Sequence, residues 1–196
     1  MTNSTAKSVI KAEIRGLEFL LNSLDDKFEN AINAILECTG KVIIMGVGKP
    51  GHVGKKISAT FASLGTPSFF VHAGEAAHGD LGMITSYDVC IIMSFSGNTA
   101  ETVNVVPQIK QIGAKTVAVT GNPDSGLAQS CDIHVDIGVR EEADLMNLAP
   151  TASSTAFLAL GDALAVTVAE KKGYTRSDFA KVHPGGSLGK QFENEL

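Results

Sequence analysis

Apolar positions in this chain recur with two different periods, and the alternation between them predicts the architecture. From Ala6 to Cys38, Ile10, Ile14, Leu17, Leu21, Leu24, Phe28, Ala31, Ile32, Ile35 and Leu36 keep helical spacing, with interruptions expected at Gly16 and around Ser23–Asp26. One long helix or two helices therefore precede the first strand, and their apolar stripe either covers a sheet or meets a second subunit. Short apolar runs follow, each leading into a helix-like stretch. They predict strands over Lys41–Met45, Ser68–Val71, Val89–Met93, Lys115–Val119 and Ile133–Val135, and helices over Gly51–Leu64, Ala100–Ile112 and Thr151–Lys172. His72–Asp80 reads as a loop or short helix, Glu141–Pro150 as a linker, and Tyr174–Leu196 as a polar tail that folds over its own chain or reaches a neighbour. Repeated strand-then-helix units favour an α/β fold: a three-layer, doubly wound, flavodoxin-like sandwich around a five-stranded parallel sheet. With no repeat and no second core in view, the expectation is one domain over 1–196, with an N-terminal helical segment 6–38 and a C-terminal tail 174–196.

Composition narrows the partners. At 196 residues and 44% apolar, the chain can bury one substantial core. A net charge of −5 offers no broad basic field, so neither nucleic acid nor an anionic membrane is expected as a partner. The absence of Trp also weakens any reading based on stacked bases. Cys38, Cys90 and Cys131 are far apart, and Cys90 sits in an apolar run, which suits free intracellular thiols rather than a disulfide framework. The polar N-terminus carries no apolar leader, and the passage Ala156–Ala169, broken by Asp162, is too short to span a bilayer. A cytoplasmic protein is expected.

Two strand ends run directly into small, polar turns. Val42–Met45 leads into Gly46-Val47-Gly48-Lys49-Pro50-Gly51-His52, and Val89–Met93 into Ser94-Phe95-Ser96-Gly97-Asn98-Thr99. In a parallel sheet such ends line a polar crevice, which we read as holding a phosphorylated sugar. Ser94, Ser96 and Thr99 supply hydroxyls, and Gly97 and Asn98 supply amides, at a helix start where unpaired N–H groups and aligned peptide dipoles favour an anion. An ordinary turn with a capping Ser or Thr would look the same. Ser153, Ser154 and Thr155, at another helix start, would complete the site. The turn holding Gly48 and Lys49 lacks both the dinucleotide fingerprint and the Walker A order, so no nucleotide cofactor is expected. Lys49 contacts a sugar oxygen or phosphate, or is simply solvated.

His52, Glu75, His78, Asp80, Glu101, Glu141, Glu142 and His183 are titratable groups in turns or connections. A Glu or His moves protons near neutral pH when its surroundings tune it. Glu101 is a catalytic group or a helix-start carboxylate, and Glu142 enters the crevice or is surface charge. His183, held by Pro184-Gly185-Gly186, is catalytic, a structural hydrogen-bonder or a subunit contact. His78-Gly79-Asp80 assists catalysis or takes up a stray divalent ion, as His183 also could. No compact metal signature occurs, and no required metal is expected.

Together these stretches resemble the sugar isomerase (SIS) domain family and, within it, the arabinose 5-phosphate isomerase branch. The resemblance runs from about Gly40 to Gly189. It rests on Gly46–Lys56, on Thr66–Met83 with its His72-Ala73-Gly74-Glu75-Ala76-Ala77-His78-Gly79-Asp80 core, on Ala149–Thr155, on Gly161–Ala165 and on His183-Pro184-Gly185-Gly186-Ser187-Leu188-Gly189. It implies the SIS-domain fold and interconversion of D-ribulose 5-phosphate and D-arabinose 5-phosphate through a cis-enediol, supplying Kdo for lipopolysaccharide or capsule. It further implies no cofactor, and a homo-oligomer, commonly a tetramer, whose active sites are shared between chains. The matching positions nominate Lys49, Glu101, Glu142 and His183 as catalytic. Gly48, His78, Ser94, Ser96, Gly97, Asn98, Thr99 and Ser153 are nominated for the substrate and its phosphate. The chain corresponds to a short form without the tandem cystathionine beta-synthase-like (CBS) modules of many members, and Ser94–Thr99 departs from the glutamate-bearing loop common in the branch. Another phosphosugar isomerase, or a noncatalytic phosphosugar sensor, would share most of these features.

Overall fold

The computed structural model describes residues 2–185. Five strands, β1 (Val42–Gly46), β2 (Ser68–His72), β3 (Val89–Met93), β4 (Lys115–Thr120) and β5 (Ile133–Asp136), form one sheet in the order β2-β1-β3-β4-β5, every pair parallel. Strands β1 and β3 are buried along their whole length, which is why they read as unbroken apolar runs rather than as alternating ones.

Period-two geometry still divides the side chains between two faces. Ile44, Ile91, Met93, Val117 and Val119 meet Ile32, Ile35, Phe61, Phe157 and Leu160 on one face. These come from α2 (Asp26–Glu37), α3 (Gly48–Ser63) and α8 (Ala152–Lys171), with α1 (Thr2–Ser23) packed outside on α8. Ile43, Met45, Ile92 and Ala118 meet Val105, Ile109 and Leu127 on the other face. That layer holds α4 (Ala73–Ala76), a 3-10 turn (Asp80–Met83), α5 (Ala100–Asn104), α6 (Val106–Ile112) and α7 (Gly126–Ser130). Each fully buried Ile or Phe contributes about 1.5–3 kcal/mol by leaving water, so the two faces together hold the sheet between its helical layers.

Several expectations are corrected. Gly16 does not interrupt α1; its bare Cα lies against α8, where an added Cβ would sit 3.4 Å from Ala152 Cβ. The break falls at Leu24-Asp25, within the other interruption expected, Ser23–Asp26, and Asp25 caps α2 by accepting from Lys27 N at 2.9 Å. The single helix predicted over Ala100–Ile112 divides at Val105, because Pro107 has no amide to continue the ladder. α8 reaches 20 residues and, among the described residues, is the one helix whose length and apolarity match a membrane span. Here it is a core helix, with Gly161 seated on Ile57 and Asp162 paired to Lys56 at 2.6 Å.

The start of the tail is also more structured than its polarity suggests. Tyr174 lies over Gly65 and donates to Ser63 O at 3.1 Å, and α9 (Arg176–Val182) follows with a Thr175/Asp178 capping box. Gly186, Ser187, Leu188 and Gly189 of the terminal motif lie outside the described residues.

Candidate active site

Strand order 2-1-3-4-5 places a topological switch between β1 and β3. α3 leaves β1 over one face of the sheet, and α5 leaves β3 over the other. A crevice opens at the strand ends between them, where such sheets bind ligands. Gly46 and Met93 are register partners, so the Gly48-Lys49 turn and the Ser94–Thr99 loop start about 5 Å apart, one strand spacing. Gly48 turns β1 into α3 with φ +62°, a left-handed conformation that glycine adopts without steric cost. Lys49 follows on the first turn of α3, exposed and without a hydrogen bond or ion pair among the described residues.

The Ser94–Thr99 loop is tied into a compact ring. Ser94, buried, shares a 3.0 Å hydroxyl contact with Thr99 and accepts from Gly97 N at 3.1 Å, while Ser96 Oγ accepts from Asn98 N at 3.2 Å. The Gly97 and Asn98 amides, expected to face an anion, are thus engaged within the loop. Ser96 is exposed, and the first amides of α5 receive no side-chain cap from the N-cap residue Thr99.

The turn after β4 buttresses this ring, a role the sequence reading missed. Asn98 Oδ1 accepts from Gly126 N at 2.9 Å, Leu127 N donates to Gly97 O at 2.9 Å, and Ser125 lies so close that a Cβ on Gly97 would fall 2.0 Å from its hydroxyl. The legible signal was Ser125-Gly126, an N-cap pattern just after the Asn122-Pro123 turn.

α8 begins at the same edge of the sheet. Phe157, one turn beyond Ser153, lines a small void together with Met93, the residue before Ser94. The start of α8 is already occupied, however. Glu142 Oε2 accepts from Thr151 N at 2.8 Å, Thr151 Oγ1 at 3.1 Å and Ser153 N at 3.1 Å, while Oε1 accepts from Ser153 Oγ. Ser153 is buried, and its hydroxyl and amide serve Glu142 rather than an open anion site. The linker carrying Glu142 is itself organised by Asp144, which accepts from Met146, Leu148 and Ala149 amides. Those bonds hold its carboxyl below the usual range.

Glu101 and His78 are brought together. They line one cleft of about 480 Å3 between α4 and α5, beside Gly74, Leu81 and Asn104. His183 is not brought to them within this chain. It caps α9, its Nδ1 lies 2.8 Å from Phe179 O, and its ring stacks on Phe179 at 3.8 Å. Tyr174 ties the start of that helix to Ser63, at the far end of α3 from the crevice. α3 is about 24 Å long, whereas seven-residue α9 spans only about 10 Å. His78 and His183 therefore do not form one metal site in a single chain. Among the described residues no group of three or more His, Cys, Asp or Glu is placed to hold an ion.

The SIS domain family matches residues 35–167. The chain is 49% identical over 187 residues to arabinose 5-phosphate isomerase KdsD of Pseudomonas aeruginosa, covering 95% of this chain and 57% of that protein. To KdsD of Escherichia coli K12 it is 47% identical over 185 residues, covering 94% and 56%. The chain thus spans little more than half the length of these curated relatives. Among solved structures, an E. coli CFT073 protein in complex with arabinose 5-phosphate superposes with a TM-score of 0.89 at 46% identity, covering 91% of this chain and 95% of that one.

Proposed function

Since the chain belongs to the SIS domain family, we propose that its strand-end crevice binds a phosphorylated pentose and interconverts D-arabinose 5-phosphate and D-ribulose 5-phosphate. What supports this reading is the adjacency of the Lys49 turn and the Ser94–Thr99 loop at the β1/β3 switch, with Glu101 just beyond that loop, in a chain similar to KdsD proteins and to a structure bound to arabinose 5-phosphate. Ser96 and Thr99 anchor the phosphate with the first amides of α5, and Ser94 shapes the loop from beneath. Ser153 acts at one remove, by fixing Glu142.

The chemistry needs one group to move the proton between C2 and C1 and another to shuttle the proton between O1 and O2, with a cis-enediol in between. We assign the carbon-bound proton to His183 and the hydroxyl proton to Glu101, with His78 across the cleft as a sugar contact. Lys49 faces the oxygen on which negative charge grows. Glu142, with both oxygens held by donors, acts as a fixed negative charge that positions the α8 start. No cofactor or metal enters this scheme.

His183 lies apart from its own crevice, so the scheme requires a His183 from a neighbouring chain. α1 supports such an assembly. Ile10, Ile14, Leu17, Leu21 and Leu24 repeat at intervals of four and three residues, the spacing of a helix-pairing seam, and Ile10, Ile14 and Leu21 are at least half exposed. We take the working form to be a cytoplasmic homo-oligomer, a tetramer with shared sites, built on a single SIS unit and supplying Kdo synthesis.

The test is conversion of ribulose 5-phosphate by the assembled protein in deuterated water. Arabinose 5-phosphate carrying solvent deuterium at C2 is the expected product. Binding without turnover would establish the sensor reading instead, and ribose or xylulose phosphate as product would reassign the substrate.

A further inference from the structure

The linker between β5 and α8 contains no helix or strand, yet its hydrogen bonds converge on Glu142. At the backbone, Glu142 N donates to Asn147 Oδ1 at 2.6 Å. Asn147 is the one non-glycine residue with positive φ among those described, at +54°, a conformation that Asn tolerates better than most residues. Asp144 gathers the Met146, Leu148 and Ala149 amides around that turn. At the other end of the residue, the carboxylate meets the first turn of α8 through Thr151 and Ser153.

Thr151 is the N-cap residue of α8, but its hydroxyl does not cap that helix. An N-cap threonine ordinarily accepts from the second or third amide of its helix; here the second, Ser153 N, goes to Glu142 instead. The exchange frees Thr151 Oγ1, which accepts from Ala143 N at 2.8 Å and lies 3.1 Å from Glu142 Oε2 and 3.2 Å from Ala149 O. A hydroxyl has one proton to give, and the charged carboxylate is the stronger acceptor as well as the nearer one. Thr151 thus grips the linker twice, through the backbone of the residue after Glu142 and through the carboxylate itself. Its branched Cβ restricts χ1, which keeps both bonds together.

Resting on the phosphosugar isomerase reading above, in which Glu142 is a fixed negative charge at the start of α8, we infer that Thr151 is a positioning residue for the reaction. Its hydroxyl sets the pose of the Glu142 carboxylate, and it acts through Glu142 rather than on the sugar phosphate. Turnover depends on that pose because a misplacement of about 1 Å in a group serving the reaction costs about 10²-fold.

The test combines turnover of variants of the assembled protein with amide 1H–15N spectra of the same samples. Thr151→Val keeps the side-chain shape and removes the hydroxyl. It should lower kcat per folded molecule roughly 10–100-fold, with KM and inhibition by inorganic phosphate unchanged. Thr151→Ser, which restores the donor, should recover most of the loss. In a Glu142→Gln background, already slowed by loss of the charge, Thr151→Val should have no further effect. The Ser153 amide donates to Glu142, so its signal in Thr151→Val should move part of the way to its Glu142→Gln position, and in Thr151→Ser stay near wild type. Wild-type kcat in Thr151→Val, an equal fold-loss in both backgrounds, a serine variant no faster than the valine one, or an unmoved Ser153 signal overturns the inference. Wild-type protein without turnover overturns the isomerase reading instead, and a Ser153 signal that still moves in Thr151→Val then leaves Thr151 as the residue that sets Glu142.

Discussion

The two edges of the sheet handle polar groups in opposite ways. Where the strands begin, carboxylates close the structure on itself. Asp88, buried, accepts from Lys41 N and Thr85 N, each at 2.7 Å, and Asp132 accepts from Thr116 N and Oγ1, each at 2.9 Å, beside Lys110 at 3.2 Å. Burial pushes Asp132 up, but the Thr116 and Lys110 interactions outweigh it and leave its carboxyl below the ordinary value. Where the strands end, Lys49 makes no hydrogen bond or ion pair among the described residues, Ser96 is exposed, and the first amides of α5 have no side-chain cap. One edge spends its polar groups on stability and the other holds them for a ligand.

Substitutions should therefore separate by edge. The largest effect is expected at His183→Ala, with turnover down about 10²–10⁴-fold as a proton-transfer group is lost, and inhibition by inorganic phosphate retained in steady-state assays. Wild-type activity in that variant would remove the neighbouring chain from the chemistry. Next, Ser96→Ala should weaken arabinose 5-phosphate binding about 10–100-fold by calorimetry, the cost of one hydrogen bond to a charged group, with little change in melting temperature because Ser96 is exposed. Asp88→Ala should do the reverse. It leaves the part-buried Lys41 and Thr85 amides without their acceptor, at a cost of about 2–3 kcal/mol in urea unfolding, with kcat per folded molecule unchanged. An activity loss matching that of Ser96→Ala would break the contrast between the edges.

The weakest effect concerns pH and a residue near the strand ends. Burial lowers the pKa of His134, with Asp136 partly opposing, and its Nε2 lies 2.8 Å from Thr120 Oγ1. Because the folded value is depressed, the unfolded chain takes the proton first. This contribution to stability is full above about pH 6.5 and fades as pH falls through the folded value. His134→Gln should flatten that part of the melting-temperature profile between about pH 7 and 5. An unchanged slope would assign the dependence to another group.

Glu101 and Glu142 were both nominated as catalytic acids, yet they have different surroundings. Glu101 stands open in a cleft, whereas Glu142 is clamped by Thr151 and Ser153. Ser153 looked like a second phosphate contact because it lies just inside a helix start, but its partner proved to be an acid 11 residues upstream. The short helices α7 and α9 escaped the periodicity because five and seven residues are too few to establish a face. Their caps, Ser125 and Thr175, were the available sign.

The order of strands and helices, the parallel sheet and the position of its polar turns were all legible in the chain before folding. They follow from local rules: unbroken apolar runs for strands buried on both faces, helical spacing between them, and glycine where the chain turns sharply. Folding in three dimensions was needed to show that the start of α8 is filled by Glu142, that His72 keeps a buried nitrogen unpaired, and that His183 stacks on Phe179 at the end of α9. These depend on which distant segments meet, and donor and acceptor pairing across such contacts leaves no period in the chain.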